Sequence, residues 1–218
     1  PGKNRTSIYW AIYYDNCWLF KQIVKNKPNL DLNKEIYYED NPLKVATKFN
    51  SKRIINYLIR AGVDLNKQNK VGDCPIIEAV CDNQLNLVKQ LIKAGANVDV
   101  SDKENNTPLF IAAHFGHEEM FNYLLKKTKV VNYHQIFSQC FATNANDIYI
   151  RNSEQIKINY KKRLCLLLLN RMVKENRINE IIDLPKKIVF DEPEILNLIE
   201  KTIIENNIKK SKVKINKI

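Results

Sequence analysis

Glycine is scarce in this chain, with five residues in 218, and none falls in a glycine-rich run of the kind that cradles a phosphate. Histidine is scarcer still: His114, His117 and His134 are the three. The five cysteines, Cys17, Cys74, Cys81, Cys140 and Cys165, form no ligand cluster with them. Neither a metal nor a cofactor is expected. No Ser or Cys stands in a recognisable nucleophile signature. The carboxylate pairs Glu118-Glu119 and Asp191-Glu192 stand at expected helix starts, where the helix dipole accounts for them. The chain therefore reads as non-catalytic. Long apolar runs are also lacking. The longest, Leu164 to Leu169, lies between Lys161-Lys162-Arg163 and Asn170-Arg171, far short of the roughly 18 residues a membrane helix needs. It predicts a buried helix instead. No signal peptide is visible, but Pro1-Gly2 is not a natural start, so targeting stays open. An odd number of scattered thiols points to a reducing compartment, a cytosol.

Charge is abundant and mostly of one sign, with a net of +11 from 35 basic and 24 acidic side chains. Ile208 to Ile218 hold five lysines and no acid. Without interleaved arginines and aromatics, they read as a solvated tail rather than a nucleic-acid or membrane contact. Lys, Asn and Ile are plentiful throughout, as an AT-rich genome encodes, so part of the charge is compositional.

What the chain does have is a period. Pro42, Pro75 and Pro108 are spaced by 33 residues, and so are Ala46, Ala79 and Ala112, and Leu58, Leu91 and Leu124. Each proline suits the first turn of a helix, where its missing N–H costs nothing. Asn41, Cys74 and Thr107 precede them, and Asn or Thr there can cap the helix. The alanines let helices approach closely, and Gly116 ends a helix in the left-handed conformation. Such a unit cannot bury its apolar face without a neighbour. Thr107-Pro108-Leu109-Phe110-Ile111-Ala112-Ala113-His114-Phe115-Gly116-His117 resembles the ankyrin-repeat pattern T-P-L-H-x-A-A-x-x-G-H. Ala61-Gly62-Val63-Asp64-Leu65-Asn66 and Ala94-Gly95-Ala96-Asn97-Val98-Asp99 resemble the hairpin entry of that family. Ile8, Ala11, Ile12, Phe20, Ile23 and Val24 suggest a fourth, degenerate copy at the amino end. It is offset by 35 residues, and the longer segment is expected in the hairpin around Glu35 to Asp40.

The resemblance implies an all-α ankyrin solenoid of about four helix pairs with β-hairpin loops over residues 4–131. Residues 134–218 are then a helical carboxy-terminal cap or small domain with a basic tail. There, one helix is expected over 134–142, a loop over Asn144 to Asn152, an amphipathic helix from Glu154 to Glu175, a turn at Asp183-Leu184-Pro185 and a helix start at Asp191 to Glu194.

The resemblance also implies a binding surface: the hairpin tips and inner faces of the first helices, at positions the family varies. Here these are Tyr13 and Tyr14 in the first copy and Tyr37, Tyr38, Asp40, Lys48 and Phe49 in the second. The third offers Lys70, Val71, Asp73, Cys81 and Asp82, and the fourth Lys103, Glu104, Asn106, His114 and Phe115. Exposed aromatics on a rigid surface make binding hot spots, because they desolvate much area at little entropic cost. Trp10 and Trp18 are expected in core or cap positions. His117 is expected to bond to backbone, as this position does in the family. Asn66 stands where asparaginyl hydroxylases modify such hairpins, or else it simply closes the hairpin.

The function implied is a protein–protein interaction module in the cytosol. It is expected to be monomeric and to take an acidic helix or extended peptide. The AT-rich character resembles ankyrin proteins that intracellular bacteria and large DNA viruses direct at host cells. Two alternatives stay open. Leu184-Pro185-Lys186-Lys187-Ile188 resembles the L-P-x-E-I opening of F-box-like ligase adaptors, with Lys187 where that pattern has Glu. An unrecognised enzymatic activity in residues 134–218 is the other.

Overall fold

The computed structural model describes residues 6–140, 154–181 and 197–207. Four pairs of short helices come first: α1 (Ser7–Tyr13) with α2 (Cys17–Asn26), α3 (Pro42–Lys48) with α4 (Lys52–Arg60), α5 (Pro75–Cys81) with α6 (Leu85–Lys93), and α7 (Pro108–His114) with α8 (Glu118–Lys127). Then come α9 (Tyr133–Cys140), α10 (Glu154–Lys174), a 3₁₀ turn at Ile178–Ile181 and a helix, α11, over residues 197–207. Among the described residues the only β pairing is an isolated antiparallel bridge between Tyr37 and Asp40. The chain divides into two compact units, residues 1–111 and 112–218.

In the first unit, α3 lies between α1 and α5, with α4 behind it. Ala11, Ala46 and Ala79 are fully buried on the first helices, as are Leu58 and Leu91 on the second. The helix starts follow the capping logic: Asn41 Oδ1 accepts the Lys44 N–H at 2.8 Å, and Thr107 Oγ1 accepts that of Phe110 at 3.2 Å. Cys74 makes no cap bond and is buried instead, packing in the place of a hydroxyl.

The turn between the two helices of each pair needs one left-handed residue. Gly116 fills it at φ 74°, and Asp15, Asn50 and Asn83 fill the equivalent places at 45°, 51° and 53°. Asn and Asp are the non-glycine residues that tolerate this conformation best, which explains why the chain manages with so few glycines. The next residue reaches back to the preceding copy: Ser51 Oγ donates to the Ile12 carbonyl at 2.6 Å, and Gln84 Nε2 to that of Thr47 at 3.2 Å. His117 stands at the same step.

The 35-residue offset does not lengthen the hairpin of residues 35–40. Cys17 and Lys52, which open α2 and α4, are 35 apart, whereas Asp31 and Asp64, and Asn33 and Asn66, are 33 apart. The extra residues therefore lie between Cys17 and Asp31, where the chain leaves α2 through Lys27-Pro28-Asn29 rather than through an Ala-Gly pair.

In the second unit, α10 packs on α8. The Tyr160 hydroxyl donates to the Ala113 carbonyl at 3.0 Å, and Arg163 pairs with Glu118 at 3.1 Å. Arg171 donates to the carbonyls of Leu125 and, at 2.7 Å, Thr128. It thereby satisfies acceptors that the end of α8 leaves open. Tyr133 donates to Glu175 at 2.8 Å, with the Arg177 guanidinium 4.9 Å from its ring centre. Burial opposes ionisation of Glu175, but the Arg171 and Tyr133 hydrogen bonds hold its pKa below the usual value. The expected loop at Asn144 to Asn152, the Asp183 to Pro185 turn, the helix start at Asp191 to Glu194, the segment Leu184 to Ile188 and the lysines of Ile208 to Ile218 lie outside the described residues.

Candidate functional site

Three hairpin tips, over residues 33–40, 66–73 and 99–106, stand beside the first helices. In the second and third tips one carboxamide or carboxylate organises the turn. Asn69 Oδ1 accepts the N–H groups of Val71 at 3.1 Å and Asp73 at 3.0 Å, and Asp102 Oδ1 those of Glu104 at 2.9 Å and Asn106 at 2.8 Å. Each of these two tips has one left-handed residue, Gly72 at φ 86° and Asn105 at 62°.

The first tip has Ile36 at the organising position, and an isoleucine cannot accept these bonds. It closes by backbone alone, with Ile36 N–H to Asp40 O at 2.9 Å and Asp40 N–H to Tyr37 O at 2.8 Å. Both of its central residues are left-handed, Tyr38 at φ 40° and Glu39 at 69°. A bulky residue in this region is strained, and such strain concentrates at functional sites. The effect is to push the Tyr38 ring out, 66% exposed.

Around that tip the rings form one cluster. Tyr9, buried on α1, is its hub, with ring centres 4.5 Å from Tyr37, 5.7 Å from Phe49 and 6.3 Å from Tyr13. Tyr13 packs on Phe49 at 4.9 Å and Tyr14 at 5.0 Å, and Tyr37 on Tyr38 at 4.4 Å. Tyr13 and Tyr14 are nonetheless 45% and 69% exposed. Trp10 stacks on Tyr14 at 6.0 Å and is 37% exposed, and Trp18 is 69% exposed, so of the core or cap positions expected for them neither takes a core one. Trp18 stands in the first turn of α2, on the side its apolar residues leave to solvent.

Next to the rings lies a charge network. Lys44, almost fully buried, reaches Glu78 at 2.8 Å, Asp40 at 3.3 Å and Asp73 at 3.7 Å. Asn69 Nδ2 also donates to Asp40, at 2.9 Å. Burial works against the ammonium, yet Glu78, and then Asp40 and Asp73, hold its pKa above the ordinary lysine value. Burial pushes the Asp73 carboxyl up, Lys44 pulls it down, and Glu78, Asp102 and Asp40 push it up again, leaving it above the usual carboxylate range. Desolvation, with Asp73, Glu78 and Asp82, pushes the Cys81 thiol up to about 12.

Tyr13, Tyr14, Tyr37, Tyr38 and Phe49 are thus brought together, and Asp73 joins them through Lys44 and the first tip. Lys70 pairs with Glu39, tying the second tip to the first. Lys103 is exposed on the third tip, where its N–H donates to the Val71 carbonyl at 3.2 Å. His114 and Phe115 belong to the second unit. Their rings are 5.3 Å apart, Phe115 also stacks on His117 at 5.9 Å, and burial lowers the His114 pKa. Asn66 is exposed; its N–H donates to Asp64 Oδ1 and its Oδ1 accepts the Asn97 N–H at 2.7 Å, linking two hairpins. Lys44, Glu78 and Tyr9 are the site residues that sequence reasoning missed. Lys44 had a signal: it stands 33 residues before Ile77 and 66 before Phe110, both buried, so the period put a charge inside.

Comparison with protein families matches residues 43–135 to ankyrin repeats, in three copies. These residues are ankyrin repeats. Comparison of the chain with curated proteins gives no match. The pair α1 and α2 precedes the matched ankyrin repeats and stacks on α3 as a further helix pair, through the same buried alanine, Ala11. Among the described residues no group of His, Cys, Asp and Glu is placed to hold a metal ion, and no helix is long and apolar enough to cross a membrane.

Proposed function

We propose that the chain is a non-catalytic protein-interaction module whose partner docks on the tips and first helices of the ankyrin stack. Ankyrin repeats support protein–protein interaction in general. The observation that carries the site is the ring cluster: Tyr14 and Tyr38 are more than half exposed, and Tyr38 sits on strained left-handed backbone. A helix or an extended segment fits such a face. Lys70, Asp73 and Lys103 stand at its polar rim, and His114 and Phe115 are proposed as partner contacts of the second unit by itself. The whole-chain charge of +11 favours encounter with an acidic protein. Cys17, Cys74, Cys81 and Cys165, none of them in a disulfide, support a cytosolic setting, and the Lys, Asn and Ile richness supports a host-directed effector. Residues 134–218 serve as a helical cap, a role supported by the bonds from Tyr160 and Arg171 to α7 and α8. Asn66 hydroxylation is a separate proposal, to be read by mass spectrometry of the hairpin peptide.

The test is the double substitution Tyr14→Ala with Tyr38→Ala, chosen because both rings are exposed while Phe49 packs on the buried Tyr9. Capture of the partner in a pull-down should fall more than tenfold with an unchanged Tm. Full capture by the folded variant would remove the face from consideration.

A further inference from the structure

The second copy of the first unit meets the first copy through Phe49, Ser51, Arg53 and Tyr57. Phe49 packs on Tyr13 at 4.9 Å, Ser51 donates to the Ile12 carbonyl, Arg53 pairs with Asp15 at 3.2 Å, and Tyr57 packs on Phe20 at 5.6 Å. Ser7 and Pro42, which open α1 and α3, are 35 apart, so the counterparts in the first copy are Tyr14, Asn16, Trp18 and Gln22. No described helix precedes α1 to receive them.

This end is not finished as the polar cap that keeps a repeat stack in water. Tyr14 and Trp18 are each more than half exposed, and Trp10 keeps over a third of its surface open where its counterpart Val45 is buried. Leu19 and Ile23 are half-buried, whereas Ile54 and Leu87, and Leu58 and Leu91, are buried at the same steps. The end face thus has the apolar make-up of the joints between copies and continues them. Aromatic side chains carry about 150–250 Å² each, so the open parts of these three come to roughly 400 Å². A standard interface takes about 800 Å² from each partner. Leu19, Gln22 and Ile23 add to the rings, so the face is of a size for weak pairing.

The face also carries no charge. Of the charged side chains between residues 6 and 30, Asp15 and Lys21 are turned to the second copy, where they meet Arg53 and the Tyr57 ring. Lys25 stands at the step of Arg60 and Lys93, exposed in all three copies, and Lys27 follows the end of α2. Two chains of net charge +11 repel at long range, and an uncharged apolar end is where they can meet. A polar contact argues against one more repeat as the occupant. Ser51 and Gln84 reach back to the preceding copy. Asn16, at the same step, turns to its own helix, where its Oδ1 accepts the Leu19 N–H at 3.0 Å.

We infer that this amino-terminal end pairs with a second copy of the chain, end to end about a two-fold axis, Trp10, Trp18, Leu19 and Ile23 of one copy facing the same residues of the other. A two-fold interface needs a surface that tolerates itself, and an uncharged one does. The pairing is separate from the docking side: Tyr14 lies where the two meet, while Tyr38 belongs to the tips.

The experiment is sedimentation equilibrium of the full chain, from micromolar to near-millimolar protein, at physiological and at high salt. The average mass should climb from that of one chain towards that of two. Pairing should tighten in high salt, which screens the like charges of the two copies. Trp18→Lys with Gln22→Lys, at two positions of α2 that are not buried, should weaken pairing at least tenfold at unchanged Tm. Trp18→Glu with Gln22→Glu should do the same alone, and an equimolar mixture of the Lys and Glu variants should pair again. Tyr38→Ala should leave pairing unchanged. The mass of one chain at every concentration overturns the inference and gives the end to a different protein or a further repeat. Pairing that the Lys variant retains, that high salt weakens, or that Tyr38→Ala abolishes puts the contact elsewhere and overturns it too.

Discussion

At the scale of single residues, Lys44 does the most to hold the tips to the helices. Its ammonium is shared by carboxylates of α3's own tip, the next tip and α5, so three segments close on one charge. Removing one member of a buried ion pair leaves the others uncompensated, which costs about 3–5 kcal/mol, against roughly 0–1 kcal/mol for a surface pair. Lys44→Met is expected to fall in the higher range by urea unfolding at pH 7. The pH dependence has a definite sign. The Lys44 pKa is raised in the fold, so its contribution is complete below the ordinary lysine value and is lost only as pH rises through the raised one. Without it, Asp73 lies beside Asp40 and Glu78 with no cation between them, and protonation of Asp73, whose carboxyl burial already holds above the usual range, relieves the variant. Its deficit should therefore shrink as pH falls into the carboxylate range. A loss of under 1 kcal/mol, flat with pH, would show that the network contributes little.

At the scale of elements, the chain repeats a small set of local solutions: a capped seven-residue helix, a left-handed turn, a longer helix and a tip. Most of this was legible in the sequence, because proline, alanine and leucine recur every 33 residues and each has one mechanical role. What was not legible came from residues that perform one role with another chemistry. Asn50 and Asn83 stand for the glycine of the last copy, and Ser51 and Gln84 for its histidine. The extra residues of the first copy escaped notice because Lys27-Pro28-Asn29 matches no hairpin entry. The site was half legible. The exposed rings could be placed from the period, but their hub Tyr9 could not, since burial depends on the neighbouring tip. Gly72 has no substitute of the kind Asn50 provides. A Cβ there would stand 2.6 Å from the Lys103 nitrogen and 2.9 Å from the Asp102 carbonyl carbon. Gly72→Ala should cost about 1–2 kcal/mol for the left-handed backbone alone, and more for pushing the third tip away. Thermal unfolding should show a lowered Tm, and amide exchange should quicken around residues 99–106. Unchanged protection there would mean that the two tips are not packed as described.

At the scale of the whole molecule, what matters is that each unit keeps its polar chemistry at different places for different ends. In residues 112–218, Arg171, Arg177, Tyr133 and Glu175 bind helix ends to one another. In residues 1–111 the exposed tyrosines stand on the first tip and α1, and the second helices α2, α4 and α6 carry cations and no acid. The claim that the tips and first helices are the docking side can be read directly by site-specific photo-cross-linking in the intact chain. A photoreactive phenylalanine analogue would replace Tyr38 in one protein and Lys89, exposed on α6, in another. The account predicts a cross-linked partner from position 38, lost on adding an excess of unlabelled chain, and none from position 89. Cross-linking from position 89 alone would contradict it.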